Sequence, residues 1–406
     1  MVSRDIAYKN YKKSNDIHGT VLYPAVMVAP VQKDILSDVL DTNKHLKVFD
    51  PFHGSGTALY EAAELSDNLS LFGCDINPLA NLITKVKLQG VSENIQDNIV
   101  NLKGLLYSDF EYDLHAFHNI HKWFRQDIIM GLSKVRSGIT QIKNTNDRMF
   151  FWCMFIDIVR KYSNTRSSTY KLHIKKENNI AKPENNLISD YIFSIETNYQ
   201  RFLKNYNSFT LVKGDVLTYL KNIGVNEFDI CITSPPYGDN ATTVPYGQFS
   251  MLPLHWIDTK DLILEGWEFE NYSIIDSKSL GGPFQVLEEK DMNFEELSPC
   301  LQAIAPPKQK KVLRFFSGYF EFLEQICRVT DSYIIMTLGN RTVDGVKINL
   351  TELTIQYLTN KGFIKKEVVK RDILSKRMPK KVSTVRNRPV SSMNEEYVIV
   401  MEKIKN

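Results

Sequence analysis

The chain has 406 residues, 43% hydrophobic and 24% charged, which suits a sizeable core and at least one module beyond a single typical domain. Its five cysteines, Cys74, Cys153, Cys231, Cys300 and Cys327, show no paired spacing, which argues against a disulfide scaffold or a zinc ribbon and for a reducing compartment. No signal peptide and no apolar run of about 18 residues is evident, so a membrane span is not expected and a cytoplasmic protein is.

In chain order, Tyr23-Pro24-Ala25 and Pro30 precede the first clear strand, Leu46-Lys47-Val48-Phe49. That strand runs into Asp50-Pro51-Phe52-His53-Gly54-Ser55-Gly56-Thr57, and a helical stretch follows from Ala58 to Leu65. Strand, glycine turn, helix is the order in which an α/β fold brings backbone close to a nucleotide-like ligand. The turn has no P-loop Lys after its last Gly and no G-x-G-x-x-G spacing, which weakens triphosphate and dinucleotide readings. His53 lies inside the turn, beside the position of such a ligand. The next strand, Leu71 to Cys74, ends in Asp75, where a carboxylate can accept bonds from both hydroxyls of a ribose.

From Gly90 to Tyr206 a helical period replaces the strand pattern. Ile128, Leu132, Val135, Ile139 and Ile142 recur at steps of three and four, and Met149 to Val159 is apolar all round, as in a helix inside a bundle. This predicts a helical insertion between the second and third strands. Arg160, Lys161, Arg166, Lys171, Lys175 and Lys176 follow it, as a groove-lining set or as a polar loop, and Lys176 to Asn186 reads as a flexible linker. His115, His118 and His121 have a helical spacing that would bring them together, but no fourth ligand completes a set, so no metal site is expected.

A third strand, Thr210 to Val212, ends in Lys213-Gly214-Asp215, a carboxylate suited to an adenine amine. A fourth, Phe228 to Ile232, reads as a buried parallel strand and leads to Ser234-Pro235-Pro236-Tyr237. Two prolines end the hydrogen-bond ladder there and leave rigid carbonyls facing a cleft, while Ser and Tyr add a hydroxyl and a flat ring. A pocket for a planar base with an exocyclic amine needs this set, acceptors for the amine and a face for stacking. Alone, the tetrapeptide also fits a turn with an exposed Tyr.

Residues 258–314 lack clear periodicity and read as a target-recognition segment or a lid. A short basic cluster, Lys308, Lys310, Lys311 and Arg314, closes them. From Lys361 to Arg388 eleven Lys or Arg face only Glu367 and Asp372, a strip suited either to phosphate contact or to a solvated face. Tyr397 to Met401 reads as a closing strand, antiparallel to the rest.

The turn Asp50 to Thr57 matches D-P-F-x-G-S-G-T, and Ser234 to Tyr237 matches [DNS]-P-P-[YFW]. In these the chain resembles the S-adenosylmethionine-dependent DNA amino-methyltransferases of the TSPPY type, as their motifs I and IV. Tyr23-Pro24-Ala25 with Pro30 is similar to motif X, and Ser234 to Ser250 with Leu338 to Gly345 resembles the N4-cytosine branch. The resemblance implies a Rossmann-like class I methyltransferase fold of the α/β class, a mostly parallel sheet with an antiparallel closing strand and a helical insertion. The catalytic domain would comprise residues 1–90, 207–257 and 315–406, interrupted by the insertion at 91–206 and the recognition segment or lid at 258–314.

It further implies S-adenosylmethionine as cofactor. Tyr23 and Pro24 would touch its methionine end, Asp50, Pro51, Gly54, Ser55, Gly56 and Thr57 would surround that moiety, Asp75 the ribose and Asp215 the adenine, with Phe52 and Ile76 as apolar walls. Ser234, Pro235, Pro236 and Tyr237 would hold a base flipped out of double-stranded DNA for direct in-line transfer, and a cognate restriction endonuclease or defence-system subunit is a potential companion. Ser at the head of motif IV points to cytosine N4, with adenine N6 the alternative. The 5-methylcytosine chemistry is not expected, because Pro299-Cys300-Leu301-Gln302 only approaches its Pro-Cys-Gln setting and lies after motif IV. A tRNA guanine-N2 enzyme is the RNA alternative, although the short stretch before Tyr23 leaves no room for the usual RNA-binding module. A catalytically silent DNA-binding subunit is disfavoured by the intact glycines and the Ser234 hydroxyl.

Overall fold

The computed structural model describes residues 8, 10–180, 184–238, 244–264, 271, 273–280, 282, 297–372, 381–385, 388–391 and 395–405. After a 3-10 turn at Ile17–Gly19 come α1 (Ala29–Val39), β1 (Leu46–Asp50), α2 (Thr57–Leu65), β2 (Leu69–Asp75) and α3 (Pro78–Gln89). The start of α3 is written locally: the Asn77 side chain accepts the Leu79 N–H and Pro78 occupies the first turn, where its missing donor costs nothing.

Helices then dominate, with α4 (Ile95–Tyr107), α5 (Ile120–Trp123), α6 (Gln126–Thr140), α7 (Thr145–Tyr162), α8 (Glu177–Ile180) and α9 (Leu187–Asn198). Phe150, Phe151, Trp152 and Phe155 of α7 are fully buried, so this helix is the axis of the bundle. Asp147 in its first turn accepts the Ser92 N–H, the Ser92 hydroxyl and the Asn98 amide, which fastens the entry of α4 to α7.

The remaining elements are β3 (Phe209–Lys213), α10 (Val216–Lys221), β4 (Phe228–Thr233), α11 (Tyr246–Trp256), α12 (Ile274–Lys278), α13 (Ser298–Ala303), α14 (Pro306–Val329) and β5 (Thr330–Leu338). A hairpin, β6 (Arg341–Val343) and β7 (Val346–Ile348), leads to α15 (Leu350–Asn360), β8 (Phe363–Asp372), a second hairpin of β9 (Lys381–Val385) and β10 (Arg388–Ser391), and β11 (Glu395–Lys403).

Seven strands form one sheet in the order β3-β2-β1-β4-β5-β11-β8. The first five are parallel, and β11 runs antiparallel to both β5 and β8. Alternation along the strands feeds two cores. Val48, Ile230, Ile232 and Ile335 face α1 to α3 and the helical bundle, whereas Phe49, Cys231, Ile334 and Met336 face α10, α14 and α15. The strand order reverses between β1 and β4, and in such sheets the crevice for a ligand opens at the carboxyl ends of the strands at that reversal. This is the α/β architecture expected from the sequence, closing antiparallel strand included. Among the described residues no helix is long and apolar enough to cross a membrane.

Several expectations need correction. Ile142 lies beyond the end of α6, and His115, His118 and His121 share no helix: the first is in irregular chain, the second in a turn, the third in the single-turn α5. His115 is instead used in packing, with its Nε2 2.7 Å from the His255 carbonyl. The segment 176–186 includes a helical turn, α8, although residues 181–183 lie outside the described residues. The division at 314/315 falls inside α14, whose buried stripe Val312, Phe315, Phe316, Tyr319, Leu323 and Ile326 begins under the basic cluster. Helical order thus starts at Pro306, where a proline pair occupies the first turn.

Several of the basic residues are engaged within the molecule. Arg160 lies 4.0 Å over the Phe249 ring and donates to the Phe249 carbonyl, and Lys175 donates to the Ser163 carbonyl. In the C-terminal strip Lys361 pairs with Glu324, Lys366 with Glu402, Lys370 with Glu395 and Arg371 with Glu396. Residues 373–380 and 386–387, which carry much of the remaining charge, lie outside the described residues.

Candidate active site

The reversal between β1 and β4 places Asp50, the last residue of β1, beside Thr233, the last residue of β4. Asp50 is fully buried, and its Oδ1 accepts the Thr233 hydroxyl at 2.7 Å and the Phe52 N–H at 3.1 Å. Its Oδ2 is buried without a hydrogen-bond partner. Burial pushes the carboxyl up to about 7, the Thr233 hydrogen bond acting against it. An unpaired buried carboxylate oxygen of this kind is expensive unless a cationic or hydrogen-bonding group reaches it.

The chain leaves β1 through a turn that needs its glycines. Gly54 and Gly56 have φ of +51° and +74°, a left-handed region that side chains rarely adopt. The Gly54 N–H donates to Asp75 Oδ2 at 2.9 Å, and Asp75 Oδ1 accepts the Asn77 N–H at 2.8 Å, so the end of β2 holds the turn. Tyr23 covers the same turn: its ring lies 3.5 Å from where a Gly54 Cβ would stand, and its hydroxyl accepts from the Asn77 amide at 3.1 Å. That amide also reaches Ser250 Oγ at 2.8 Å, and the rings of Tyr246 and Phe249 flank Tyr23. Helix α11, which follows the β4 loop, is thereby tied to the segment preceding β1.

Gly56→Ala is expected to be severe for two reasons. Its Cβ would fall 2.6 Å from Thr84 Cγ2, and the φ of +74° adds a cost of about 1 kcal/mol. A loss of about 2 to 4 kcal/mol of unfolding free energy in urea titrations is expected; a variant as stable as the parent would show that the turn relaxes freely.

At the end of β4, Ser234, Pro236 and Tyr237 are half-buried and Pro235 is buried. Ser234 Oγ and the Tyr237 hydroxyl are 3.1 Å apart. Burial, reinforced by the Glu396 charge, pushes the Tyr237 phenol well above its usual value, so the ring is neutral at physiological pH. Gly238 gives this loop its packing, since a Cβ there would lie 1.9 Å from an Arg341 guanidinium nitrogen. Residues 239–243 lie outside the described residues.

The other residues singled out in the sequence have the following surroundings. Pro24, Pro51, Ser55 and Thr57 are buried, Ile76 is half-buried against the larger core, and Phe52 makes an edge contact with Phe322 at 5.0 Å. His53 is buried over Gly73, bonded to Asn81 and Thr84, and burial pushes its imidazole down, in keeping with a packing role. Asp215 caps α10 by accepting the Thr218 N–H, and the neighbouring Gly214 N–H binds the Asp75 carbonyl at 3.1 Å. Thr233, Asn77, Ser250 and Asp276 were not singled out. Asp276 of α12 accepts the Gly247 N–H at the start of α11, and burial raises its carboxyl to about 7. Only Asn77 carried a signal, an Asn-Pro helix start directly after an acidic strand end.

No protein-family profile matches the chain. The chain is 27% identical to the Type II methyltransferase M.MvaI of Kocuria varians, over 98% of this chain and 92% of that protein. Among solved structures it overlaps a precorrin-6y C5,15-methyltransferase of Geobacter metallireducens at a TM-score of 0.33 and 10% identity, covering 98% of this chain and 97% of that one. It overlaps the rRNA methyltransferase aviRa of Streptomyces viridochromogenes at 0.31 and 10%, covering 96% and 93%. The strand order and the similarity to M.MvaI support a methyltransferase with S-adenosylmethionine as its cofactor.

The residues present fit that cofactor. Asp50 Oδ2 is an unsatisfied acceptor suited to the ammonium of a methionine moiety, and the two left-handed glycines let the turn that carries it pack closely against Tyr23 and Thr84. Asp75 is half-buried and keeps lone pairs beyond the two backbone bonds it accepts, as an acceptor of ribose hydroxyls requires.

Proposed function

We propose that this methyltransferase acts on double-stranded DNA and methylates the exocyclic N4 of cytosine, the base being flipped into the crevice beside Tyr237. The observation that carries the reading is the Thr233 to Asp50 hydrogen bond, which puts the Ser234 loop on the edge of the cofactor turn. Ser at the head of the Pro-Pro-Tyr loop favours cytosine over adenine, and the likeness to a Type II methyltransferase favours DNA over RNA.

When bound, the cofactor supplies an electrophilic methyl group. The chain's own residues prepare the nucleophile. An exocyclic amine is weakly nucleophilic while its lone pair is delocalised into the ring. Acceptors on its two protons, the Ser234 hydroxyl and the Pro235 carbonyl, favour a tetrahedral nitrogen with an available lone pair. Tyr237 offers a neutral face for stacking. Tyr23, Pro24, Asp50 and the turn from Pro51 to Thr57 hold the methionine end, Asp75 the ribose, Asp215 the adenine, with Phe52 and Ile76 as walls. Near-attack alignment of two held reactants is worth about 7 to 11 kcal/mol, so positioning provides most of the acceleration without a covalent intermediate. Residues 258–305 act as a recognition element or lid, and the cations of 373–388 supply phosphate contacts.

The test is labelling of plasmid DNA and of total tRNA with radioactive S-adenosylmethionine, followed by nucleoside mass spectrometry. N4-methyldeoxycytidine is the expected product. N6-methyldeoxyadenosine would overturn the choice of base, and label confined to tRNA would overturn DNA as the substrate. A companion restriction endonuclease would show as sequence-specific cleavage of unmethylated DNA in the same cells.

A further inference from the structure

Against the turn from Pro51 to Thr57 lies a buried chain of ionisable groups that the transfer itself does not use. Lys87 of α3 is 2% exposed, and its Nζ donates to the Ser55 carbonyl at 2.6 Å. The same ammonium lies 3.3 Å from His18 Nδ1, and His18 Nε2 lies 2.8 Å from Glu61 Oε1 of α2. His18, 2% exposed, sits on the 3-10 turn that leads to Tyr23, with its ring edge-on to Tyr60.

The chemistry of the partners sets the direction of each bond. An ammonium only donates, so His18 Nδ1 accepts, Nε2 carries the proton, and Glu61 receives it. Burial pushes the Lys87 ammonium down and the Glu61 carboxyl up, both to about 7, and burial with the nearby Lys87 charge keeps His18 neutral. Lys87 and Glu61, joined through a neutral imidazole, are held out of water, where burial disfavours the charged form of each and only specific hydrogen-bond geometry offsets the cost.

What the arrangement holds is the peptide between Ser55 and Gly56. A peptide unit is planar, so gripping its carbonyl oxygen fixes the direction of the Gly56 N–H, which bonds the His53 carbonyl at 2.7 Å. It also sets where α2 begins, since Gly56 is its N-terminal flanking residue with φ of +74°. Three elements, the turn before Tyr23, α2 and α3, are thus linked in series to this one carbonyl through Glu61, His18 and Lys87.

We propose that Lys87 is a positioning residue of the cofactor turn, holding the Ser55 carbonyl from inside while His18 and Glu61 hold Lys87. The proposal rests on the cofactor reading. Cofactor affinity then depends on a side chain that touches no cofactor, and the segment carrying Tyr23 is coupled to the turn through His18.

Lys87→Met, Lys87→Arg and Glu61→Gln, made in the full chain, test it by calorimetric titration with S-adenosylhomocysteine and by steady-state kinetics. Lys87→Met is expected to raise the dissociation constant and the cofactor KM by about tenfold or more, with kcat at saturating cofactor within about threefold of the parent, as loss of one charge-assisted bond predicts. Lys87→Arg should recover part of that loss. Glu61→Gln keeps the shape and removes the anion, and carries the test if Lys87→Met does not fold; about a threefold to tenfold weaker affinity is expected. A lowered melting temperature with affinity within twofold of the parent would make the cluster merely structural and overturn the proposal, as would a fall in kcat with unchanged KM. A parent protein that binds no S-adenosylhomocysteine would instead defeat the cofactor reading.

Discussion

Ser234→Ala is expected to lower kcat by about 10²-fold or more while the dissociation constant for S-adenosylhomocysteine stays within twofold of the parent, because an oriented group acting on the transition state is worth that much. The hydroxyl lies 3.1 Å from the Tyr237 hydroxyl, just beyond the end of β4, and this bond stays within the Ser234 loop. Tyr237→Ala should be at least as damaging, since it removes the stacking face together with the partner that orients Ser234. Tyr237→Phe separates the two contributions: it keeps the face and loses only the hydroxyl, and a fall of about tenfold is expected. Single-turnover kinetics with saturating DNA and cofactor measure all three. Parental turnover in Ser234→Ala would remove Ser234 from the chemistry and leave the Pro235 carbonyl and Tyr237 to account for it.

The second large effect belongs to Asp50. Its carboxyl stands near 7 because burial disfavours the charged form, so in the free protein it is mostly protonated below that pH and mostly ionised above it. A cationic ammonium binds the ionised form. Affinity for the cofactor should therefore rise as pH increases through about 7, and binding below that pH should release a proton into the buffer. Stability of the free protein moves the other way. A carboxyl raised in the folded state contributes stability that is complete below its unfolded value, about 3.9, and is lost as pH rises through about 7. The thermal shift produced by cofactor should accordingly be larger at pH 8 than at pH 6. Asp50→Asn should weaken binding by about 1.5 to 3 kcal/mol and flatten its pH dependence. Calorimetry in buffers of different ionisation enthalpy checks both. A pH-dependent affinity that survives in Asp50→Asn would move the titrating group elsewhere, with Glu61 and Asp276, both also raised to about 7, the next to examine.

How much of this was legible beforehand depended on the range of the interaction. The glycine turn, the strand ends at Asp50 and Asp75, and the proline-rich exit from β4 are short-range features, each fixed by what a few neighbouring residues allow the backbone to do. The helix α14 was hidden in part because its first turns carry Lys308, Lys310, Lys311 and Arg314 over the apolar stripe. A charge count along the chain likewise overstated the basic strip. The partners of Lys370 and Arg371 are Glu395 and Glu396, brought opposite them only when β8 and β11 pair. The histidine spacing failed because it assumed one helix where the chain has a loop, a turn and a single helical turn.

By itself the sequence determined two chemical edges: a turn that only glycine can make after an acidic strand end, and a strand that prolines must terminate beside a hydroxyl and an aromatic ring. Both follow from local backbone geometry. Their meeting in one crevice was decided by tertiary structure alone. Asp50 and Thr233 are 183 positions apart, and they touch because the sheet reverses its order between β1 and β4. Pairing at that separation is set by how every strand buries its two faces at once, which is also why Lys87, His18 and Glu61 could be found against the turn only after the chain had folded around them.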